Sequence, residues 1–159
     1  MKLKQKNMKY DAVHLTPIRI KKLHPNAKMP TYGSLCAAGA DLYAVLDTPV
    51  ILAPHETKCI PTGLAFEIPA GLVGLVFARS GLGCKQDLAP ANKVAVIDAD
   101  YRGELLVFMH NHGSQNRTIQ NGDRVAQFVF VPYIQAQFIE SETLSDTERG
   151  GGSFGHTGR

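Results

Sequence analysis

The chain has 159 residues, a net charge of +3 at neutral pH, 44% hydrophobic residues and 19% charged residues. This composition is typical of one globular domain and excludes a disordered chain, since enough apolar residues are present to form a core. The charge is too small to predict stable nucleic-acid binding, and no apolar run reaches the roughly 20 residues of a membrane helix. We therefore expect one domain over residues 1–159, with neither nucleic acid nor membrane as a partner.

The N-terminus and the cysteines indicate a cytoplasmic protein. Residues 1–14 are polar, lack the continuous apolar segment of a signal peptide, and are expected to be flexible. The three cysteines, Cys36, Cys59 and Cys84, are widely spaced and form no CxxC pair. An odd number of cysteines without metal-type spacing favours reduced thiols over a disulfide framework or a zinc site.

Short apolar or alternating runs, separated by turn-forming residues, dominate the chain from beginning to end. They predict strands over 18–23, 40–45, 50–52, 58–60, 64–68, 72–78, 93–97, 104–110, 124–131 and 134–139. Turn formers such as Pro61-Thr62-Gly63 separate them. This spacing predicts an all-β sandwich or barrel, with one brief helix around Ser80–Gln86. The run 124–131 is apolar enough to be covered on both faces, and another subunit is a candidate for one of the covers.

A first candidate binding segment follows the predicted strand 72–78. Arg79 supplies a guanidinium fork for phosphate oxygens, Ser80 a hydroxyl, and Gly81 an accessible backbone N–H group. The same three residue types also occur together in ordinary loops, so the segment by itself does not decide between a phosphate site and a loop.

A second candidate segment, residues 92–105, is predicted to be a β-hairpin with Asp98 and Asp100 at its mouth. An aspartate in that place can orient and deprotonate a water molecule, whereas the simpler alternative is an acidic turn. Tyr101 can lie against a sugar ring or be a half-buried strand-end aromatic. Asn92 can hydrogen-bond a base edge or be an ordinary turn residue.

The C-terminal residues change in composition. Residues 149–159 read RGGGSFGHTGR and include five glycines. A segment of this kind is usually a floppy terminus. Arginine for charge, Phe154 for stacking and glycines for close backbone approach are also what a lid over a phosphate and a base requires. Composition alone leaves both interpretations open.

Five segments, in this order, closely resemble the motifs of the trimeric dUTPase family. They are Ala38-Gly39-Ala40-Asp41-Leu42, Arg79-Ser80-Gly81-Leu82-Gly83, Val96-Ile97-Asp98-Ala99-Asp100-Tyr101-Arg102-Gly103, Gly122-Asp123-Arg124-Val125-Ala126-Gln127, and residues 149–158. Each motif is weak alone, but five in the family's order and spacing make chance a poor explanation. The resemblance runs from about residue 18 to the C-terminus.

The resemblance implies a fold, an assembly and a reaction. The fold is a jelly-roll-like β-barrel with a flexible glycine-rich arm, about residues 141–159 here, and the assembly is a homotrimer with shared active sites. The reaction is the Mg²⁺-dependent hydrolysis of dUTP to dUMP and pyrophosphate. This reaction limits the incorporation of uracil into DNA and supplies dUMP for thymidylate synthesis.

The resemblance also implies roles for individual residues. Asp98 is expected to activate the attacking water, and Gln127 to lie near that water and the α-phosphate. The expected phosphate-binding residues are Arg79, Ser80, Gly81, Gln127, Arg149, His156 and Thr157. The expected uracil- and deoxyribose-binding residues are Asn92, Val96, Ile97, Asp98, Tyr101, Leu106 and Phe154. No side chain is expected to bind Mg²⁺ directly, and Asp41 is expected to contact its water shell.

Several positions depart from the family pattern, among them residues 87–91 before the predicted hairpin, and two other functions remain open. Ala78 replaces a usual proline, Ala95 stands where glycine is frequent near the uracil pocket, and Ser153 replaces a glycine before Phe154. One alternative function is a dCTP deaminase, a structural relative whose reaction requires a differently built acid/base motif. The other is a non-catalytic nucleotide-binding regulator on the same scaffold.

Overall fold

The computed structural model describes residues 16–153, which form an all-β fold with one short helix. The strands are β1 (Arg19–Lys22), β2 (Thr31–Tyr32), β3 (Ala40–Tyr43), β4 (Val50–Leu52), β5 (Thr57–Glu67), β6 (Leu72–Phe77), β7 (Leu88–Pro90), β8 (Val94–Ile97), β9 (Glu104–Asn111), β10 (Arg117–Ile119) and β11 (Arg124–Pro132). The helix, α1, spans Ser80–Gln86 as predicted. The predictions for residues 1–14 and for Phe154, His156 and Thr157 lie outside the described residues.

The strands form two large antiparallel sheets and a two-stranded ribbon. One sheet has the order β1-β5-β9-β7, the other has the order β2-β3-β11-β6-β8, and β10 pairs with β4. Neighbours in a sheet are seldom neighbours in sequence, which is typical of a jelly roll. The predicted all-β, jelly-roll-like class is confirmed, although the strands of residues 16–153 pair as separate sheets and not as one closed barrel.

The core lies between the two large sheets. Along β9 the side chains of Leu105, Val107 and Met109 are buried, while the residues between them are exposed or partly exposed, as the two-residue period of a strand requires. Phe66 of β5 meets Phe128 of β11 edge to face, with ring centroids 5.0 Å apart. Burying each such side chain contributes roughly 1.5–3 kcal/mol, so this interior holds the two sheets together.

The predicted turn at Pro61-Thr62-Gly63 is wrong, because β5 continues through it as one eleven-residue strand. The pairing with β9 shifts register between Pro61 and Ala65, which accommodates the extra residues as a bulge. Gly63 adopts a φ of 66°, which favours glycine, and the fully buried Thr62 donates its hydroxyl to the carbonyl of Leu105 at 2.7 Å. Turn-forming residues here mark a bulge inside a strand.

The predicted strand 134–139 is also wrong. These residues form no strand, and Ile134 and Phe138 are 94% and 95% exposed. Apolar alternation indicates a strand only where a partner strand is available, and within residues 16–153 none pairs with this segment. The strands β2, β7 and β10, which have two or three residues each, were not predicted.

The predicted hairpin around Asp98 requires a correction as well. Strand β8, which precedes Asp98, pairs with β6, whereas β9, which follows it, pairs with β5 and β7 in the other sheet. The turn at Asp98 is therefore a crossing from one sheet to the other. A sequence pattern of strand, turn and strand does not specify whether the two strands pair with each other.

Asn111, at the end of β9, connects the end of β4 to the loop after β9 inside the protein. It is fully buried, and its amide nitrogen donates to the carbonyls of Leu52 at 3.1 Å, Ala53 at 3.1 Å and Gln115 at 2.7 Å. Its amide oxygen accepts from the backbone N–H of Gly113 at 3.0 Å. Buried polar groups stabilise a fold only when they are hydrogen-bonded, and both the nitrogen and the oxygen of this amide have hydrogen-bond partners.

We predict that Asn111→Ala lowers the free energy of unfolding by about 2–4 kcal/mol, because it leaves several buried carbonyl groups with fewer donors. Asn116→Ala, at an exposed position in the same loop, is the matched control and should change the free energy by less than about 0.5 kcal/mol. Urea denaturation of both variants at one protein concentration measures the difference. Equal losses would contradict the prediction.

Candidate active site

A cavity of about 340 Å³ lies beside the turn at Asp98. Its lining is made by Asn92, Ala95, Val96, Ile97, Asp98, Tyr101, Glu104, Leu105, Leu106 and Phe108. The structure therefore brings together, in one concave place, all of the predicted uracil- and deoxyribose-binding residues that fall within residues 16–153. Strand β8 and the beginning of β9 form its two walls, so the crossing between the sheets creates the cavity.

The turn that carries Asp98 is held by its own hydrogen bonds. The backbone N–H of Tyr101 donates to the carbonyl of Asp98 at 3.2 Å, and Arg102 donates to the carbonyl of Ala99 at 2.7 Å. The hydroxyl of Tyr101 donates to the carbonyl of Glu104 at 2.9 Å. The ring of Tyr101 is thus fixed at both its backbone and its hydroxyl end while it lines the cavity.

The phosphate-binding candidates lie at a different place in the chain, around the carboxylate of Asp41. Arg79 Nε donates to Asp41 Oδ1 at 2.7 Å, and Arg124 Nη1 donates to Asp41 Oδ2 at 3.2 Å. Arg79 also donates to the carbonyl of Arg124 at 3.2 Å. The side chain of Asp41 is only 14% exposed, so this pair of arginines shares one carboxylate at the edge of the protein interior.

Strand register explains why Gln127 joins this group. On β11, Gln127 lies opposite Asp41 of β3 on one side and opposite Phe77 of β6 on the other. Its amide nitrogen donates to the carbonyl of Ala78 at 2.8 Å. Ser80 and Gly81 follow in the first turn of α1, where backbone N–H groups have no acceptor within the helix.

The two groups of residues are far apart within one chain. Strand β8 runs antiparallel to β6, with Ile97 opposite Gly74 and Val94 opposite Phe77, so Asp98 lies near the start of β6. The guanidinium of Arg79 lies beside Asp41 in β3, at the other end of β6 and three strands across the sheet from β8. Strand rise and spacing give a separation of about 20 Å. Arg79 and Arg124 also line part of a separate cavity of about 230 Å³.

Two further arginines and a second cavity beside Asp98 complete the set of candidate features. Arg124 is not among the expected site residues, although it belongs to the same motif as Gln127. Its position three residues before Gln127 is the sequence signal that could have identified it as a candidate. Arg149 is exposed, and its Nε donates to the carbonyl of Gly152 at 2.8 Å within the C-terminal segment. On the other side of Asp98 a larger cavity of about 650 Å³ is lined by apolar side chains such as Val73, Leu75 and Val96.

Comparisons with known proteins match this arrangement to one family. The family model for dUTPase matches residues 25–158. The chain belongs to the dUTPase family. A deoxyuridine 5′-triphosphate nucleotidohydrolase of Serratia proteamaculans is 48% identical over 132 residues, covering 82% of this chain and 87% of the relative. One from Desulfitobacterium hafniense is 50% identical with the same coverage.

Solved structures of the dUTPase family are also similar to this chain. The dUTPase of Staphylococcus bacteriophage 80alpha, solved with dUpNHpp, superposes with a TM-score of 0.83 at 29% identity and covers 91% of this chain and 100% of its own. A mutant dUTPase from phage phi11 of S. aureus, described with a structural Mg(II) ion, gives a TM-score of 0.75 at 27% identity, covering 82% of this chain and 100% of its own.

Residues 16–153 contain no helix that is both long and apolar enough to cross a membrane. They also contain no group of three or more His, Cys, Asp or Glu side chains arranged to hold a metal ion.

Gly39 is predicted to be required for the position of Gln127. A Cβ atom at Gly39 would lie 2.5 Å from Gln127 Oε1, and the φ of Gly39 is not in the left-handed region, so the clash is the main consequence of adding one. Gly39→Ala should lower kcat for dUTP, the substrate named for the relatives, by about 10- to 100-fold, since small displacements of positioned groups are costly in rate. Steady-state kinetics measure this.

The matched control is Gly33→Ala in the same loop region, because a Cβ at Gly33 would meet nothing within 4 Å. It should leave kcat within about two-fold of the parent protein, as most open surface substitutions do. Equal rates for the two variants would show that Gln127 does not depend on Gly39.

Proposed function

We propose that this protein hydrolyses dUTP to dUMP and pyrophosphate, at active sites that different copies of the chain build together. Membership of the dUTPase family and relatives named for this activity support the reaction. One observation carries the proposal beyond the family name: within one chain, Asp98 in the cavity of the nucleoside-side candidates lies about 20 Å from Arg79 beside Asp41. Each chain thus carries two halves of a site.

The separation supports an assembly with shared sites. A water that attacks the α-phosphorus has to contact Asp98, while Arg79 has to reach the oxygens of the same triphosphate. Successive phosphates are joined by single bridging oxygens, so a triphosphate does not extend over 20 Å. Asp98 of one copy and Arg79 of another therefore have to meet, and a closed ring of three copies satisfies every half-site at once.

The C-terminal segment supports the same assembly. Residues 133–144 lie outside the core, and Ile134, Phe138, Ile139 and Leu144 are between 79% and 95% exposed. Large apolar side chains are rarely left in water in such a cluster, and they mark surfaces that contact another molecule. We infer that this segment packs on a neighbouring copy and carries Arg149 and the glycine-rich residues 150–158 to that copy's site. Phe154 would then stack over uracil, and His156 and Thr157 would contact the terminal phosphate.

In the proposed reaction, Asp98 acts as the general base. It accepts a proton from the attacking water, whose oxygen bonds to the α-phosphorus while the bond from that phosphorus to the bridging oxygen of the leaving pyrophosphate breaks. Gln127 would orient the water or the α-phosphate through its amide. No covalent intermediate is required, because positioning and neutralisation of charge account for most of such a rate.

Arg79, Ser80 and Gly81 would bind the phosphate oxygens, and Asp41 would hold the arginine in place before substrate arrives. Mg²⁺, when bound with the triphosphate, would supply neutralisation of negative charge. Hard oxygen donors suit this ion, and Asp41 is the carboxylate beside the phosphate-side arginines, so the residues fit a contact to its water shell. The three exposed free cysteines suit a reducing compartment, and the cytoplasm stays the proposed location.

Selectivity for the nucleoside would come from the cavity beside Asp98. The main chain of Val96 and Ile97 would read the donor and acceptor pattern of uracil, with Asn92 and Leu106 completing the walls. Tyr101 would pack on deoxyribose and exclude a 2′-hydroxyl. Ala95, where the family often has glycine, also lines the cavity and is packed against the core. Removal of dUTP by this site would limit uracil in DNA and supply dUMP for thymidylate synthesis.

We predict that Asp98→Asn abolishes pyrophosphate release from dUTP, by about 10²-fold or more, while the affinity for a non-hydrolysable dUTP analogue changes little, because an amide is a poor base. Pyrophosphate release is measured from dUTP, dCTP, dTTP and UTP side by side, with ammonia release as the test for a deaminase. The exposed Asp47→Asn is the control and should keep the parental rate. Near-normal turnover by the Asp98 variant would remove Asp98 from this role.

A mixing experiment tests the shared site directly. Asp98→Asn and Arg79→Ala should each be inactive alone, yet co-refolding them in equal amounts should restore up to about a quarter of parental activity, since that share of sites pairs an intact Asp98 with an intact Arg79 in a cyclic assembly. Each variant co-refolded with itself is the control. A mixture that stays inactive would mean that both residues act from the same chain.

A further inference from the structure

Gly103 lies directly against the ring of Tyr101, in the turn between β8 and β9. A Cβ atom built on Gly103 would lie 2.4 Å from Tyr101 Oη, 2.6 Å from Cζ and 2.9 Å from Cε2. Such distances are far below van der Waals contact, so no other residue type at 103 is compatible with the present position of the ring. Gly103 is not among the glycines with positive φ, and its backbone does not itself require glycine. The ring of Tyr101 accounts for the glycine.

The ring of Tyr101, although 45% exposed, is held at its tip by a hydrogen bond. Its hydroxyl donates to the carbonyl of Glu104 at 2.9 Å, one residue beyond Gly103, so the tip of the ring is bound where the missing Cβ would stand. The backbone beneath it is fixed by Arg102, which donates to the carbonyls of Ala99 at 2.7 Å and Tyr101 at 3.0 Å. A side chain at 103 would therefore lift the ring and break its hydrogen bond, while the turn itself stayed in place.

We propose that Gly103 is a specificity-determining positioning residue, which sets the discrimination between deoxyribonucleotides and ribonucleotides by seating Tyr101. The inference rests on the proposed function, in which Tyr101 faces the sugar. Steric exclusion of the 2′-hydroxyl of a ribonucleotide requires a side chain that keeps its position. The ring of Tyr101 is suited to this, because its hydroxyl is hydrogen-bonded and its face packs on a residue without a side chain. If a side chain at position 103 displaces the ring of Tyr101, the ring no longer excludes the 2′-hydroxyl, and discrimination against ribonucleotides falls.

The test compares kcat/KM for dUTP and for UTP in competition. Gly103→Ala should lower the ratio of the two values by about ten-fold or more, toward the ratio of Tyr101→Ala. The change should lie mainly in KM and in the rate with UTP, while kcat for dUTP stays within about three-fold, because the hydrogen bonds from Tyr101 N–H to Asp98 and from Arg102 to Ala99 do not involve Gly103. Gly33→Ala, where a Cβ meets nothing within 4 Å, is the matched control and should keep the parental ratio.

A double-mutant cycle separates seating of the ring from a general effect of a side chain at 103. In the Tyr101→Ala background there is no ring to displace, so adding Gly103→Ala should change the dUTP/UTP ratio less than two-fold beyond the single variant, an amount near the usual limit of additivity. Equal losses from Gly103→Ala in both backgrounds would overturn the proposal, because the effect would then not pass through Tyr101.

A readout without catalysis separates this proposal from the proposed function. In protein labelled with 3-fluorotyrosine, the ¹⁹F resonance of Tyr101, assigned by its loss in Tyr101→Phe, should shift in Gly103→Ala and not in Gly33→Ala. An unchanged resonance would overturn the role of Gly103 whatever the enzyme does. If the resonance shifts in Gly103→Ala but the parent protein does not prefer dUTP to UTP, the role of Tyr101 at the sugar is overturned, and with it the assignment of specificity to Gly103.

Discussion

The antiparallel pairing of β8 with β6 is the constraint on which the functional interpretation depends. Because Ile97 lies opposite Gly74 and Val94 opposite Phe77, the register places Asp98 near the start of β6, whereas Arg79 follows the end of that strand. Backbone hydrogen bonds fix this separation, and no change of side-chain rotamer can close a gap of about 20 Å. The chain therefore holds the two groups of candidate residues rigidly apart, and the function proposed above requires a second copy to bring them together.

Each half is organised by a different interaction. Among the proposed phosphate-binding residues, the partly buried Asp41 binds both Arg79 and Arg124, and its negative charge offsets the repulsion between the two guanidinium groups. On the nucleoside side, the turn at Asp98 is organised by backbone hydrogen bonds and by the absence of a side chain at Gly103. Charge positions one half, and steric fit positions the other.

Much of the fold was predictable from local patterns, and the errors share one cause. Alternation predicted β9, apolar runs predicted β6 and β11, and the brief helix was predicted at its observed bounds. The errors arose where pairing decided the outcome. Pro61-Thr62-Gly63 became a bulge because β9 pairs on both sides of it, and residues 134–139 remained unpaired because no strand of the described chain lies beside them. Local sequence does not encode which strand is the partner.

The sequence by itself determined the chemistry: the carboxylates, arginines and glycines of five ordered segments, and hence membership of the dUTPase family. It did not determine how far apart these residues lie in the folded chain. Only the tertiary structure decided that Asp41 binds both arginines, that the chain crosses between two sheets at Asp98, and that Asp98 and Arg79 lie far apart. The physical reason is that residue type is a local property, whereas the separation of two residues follows from the register of paired strands, which no local pattern specifies.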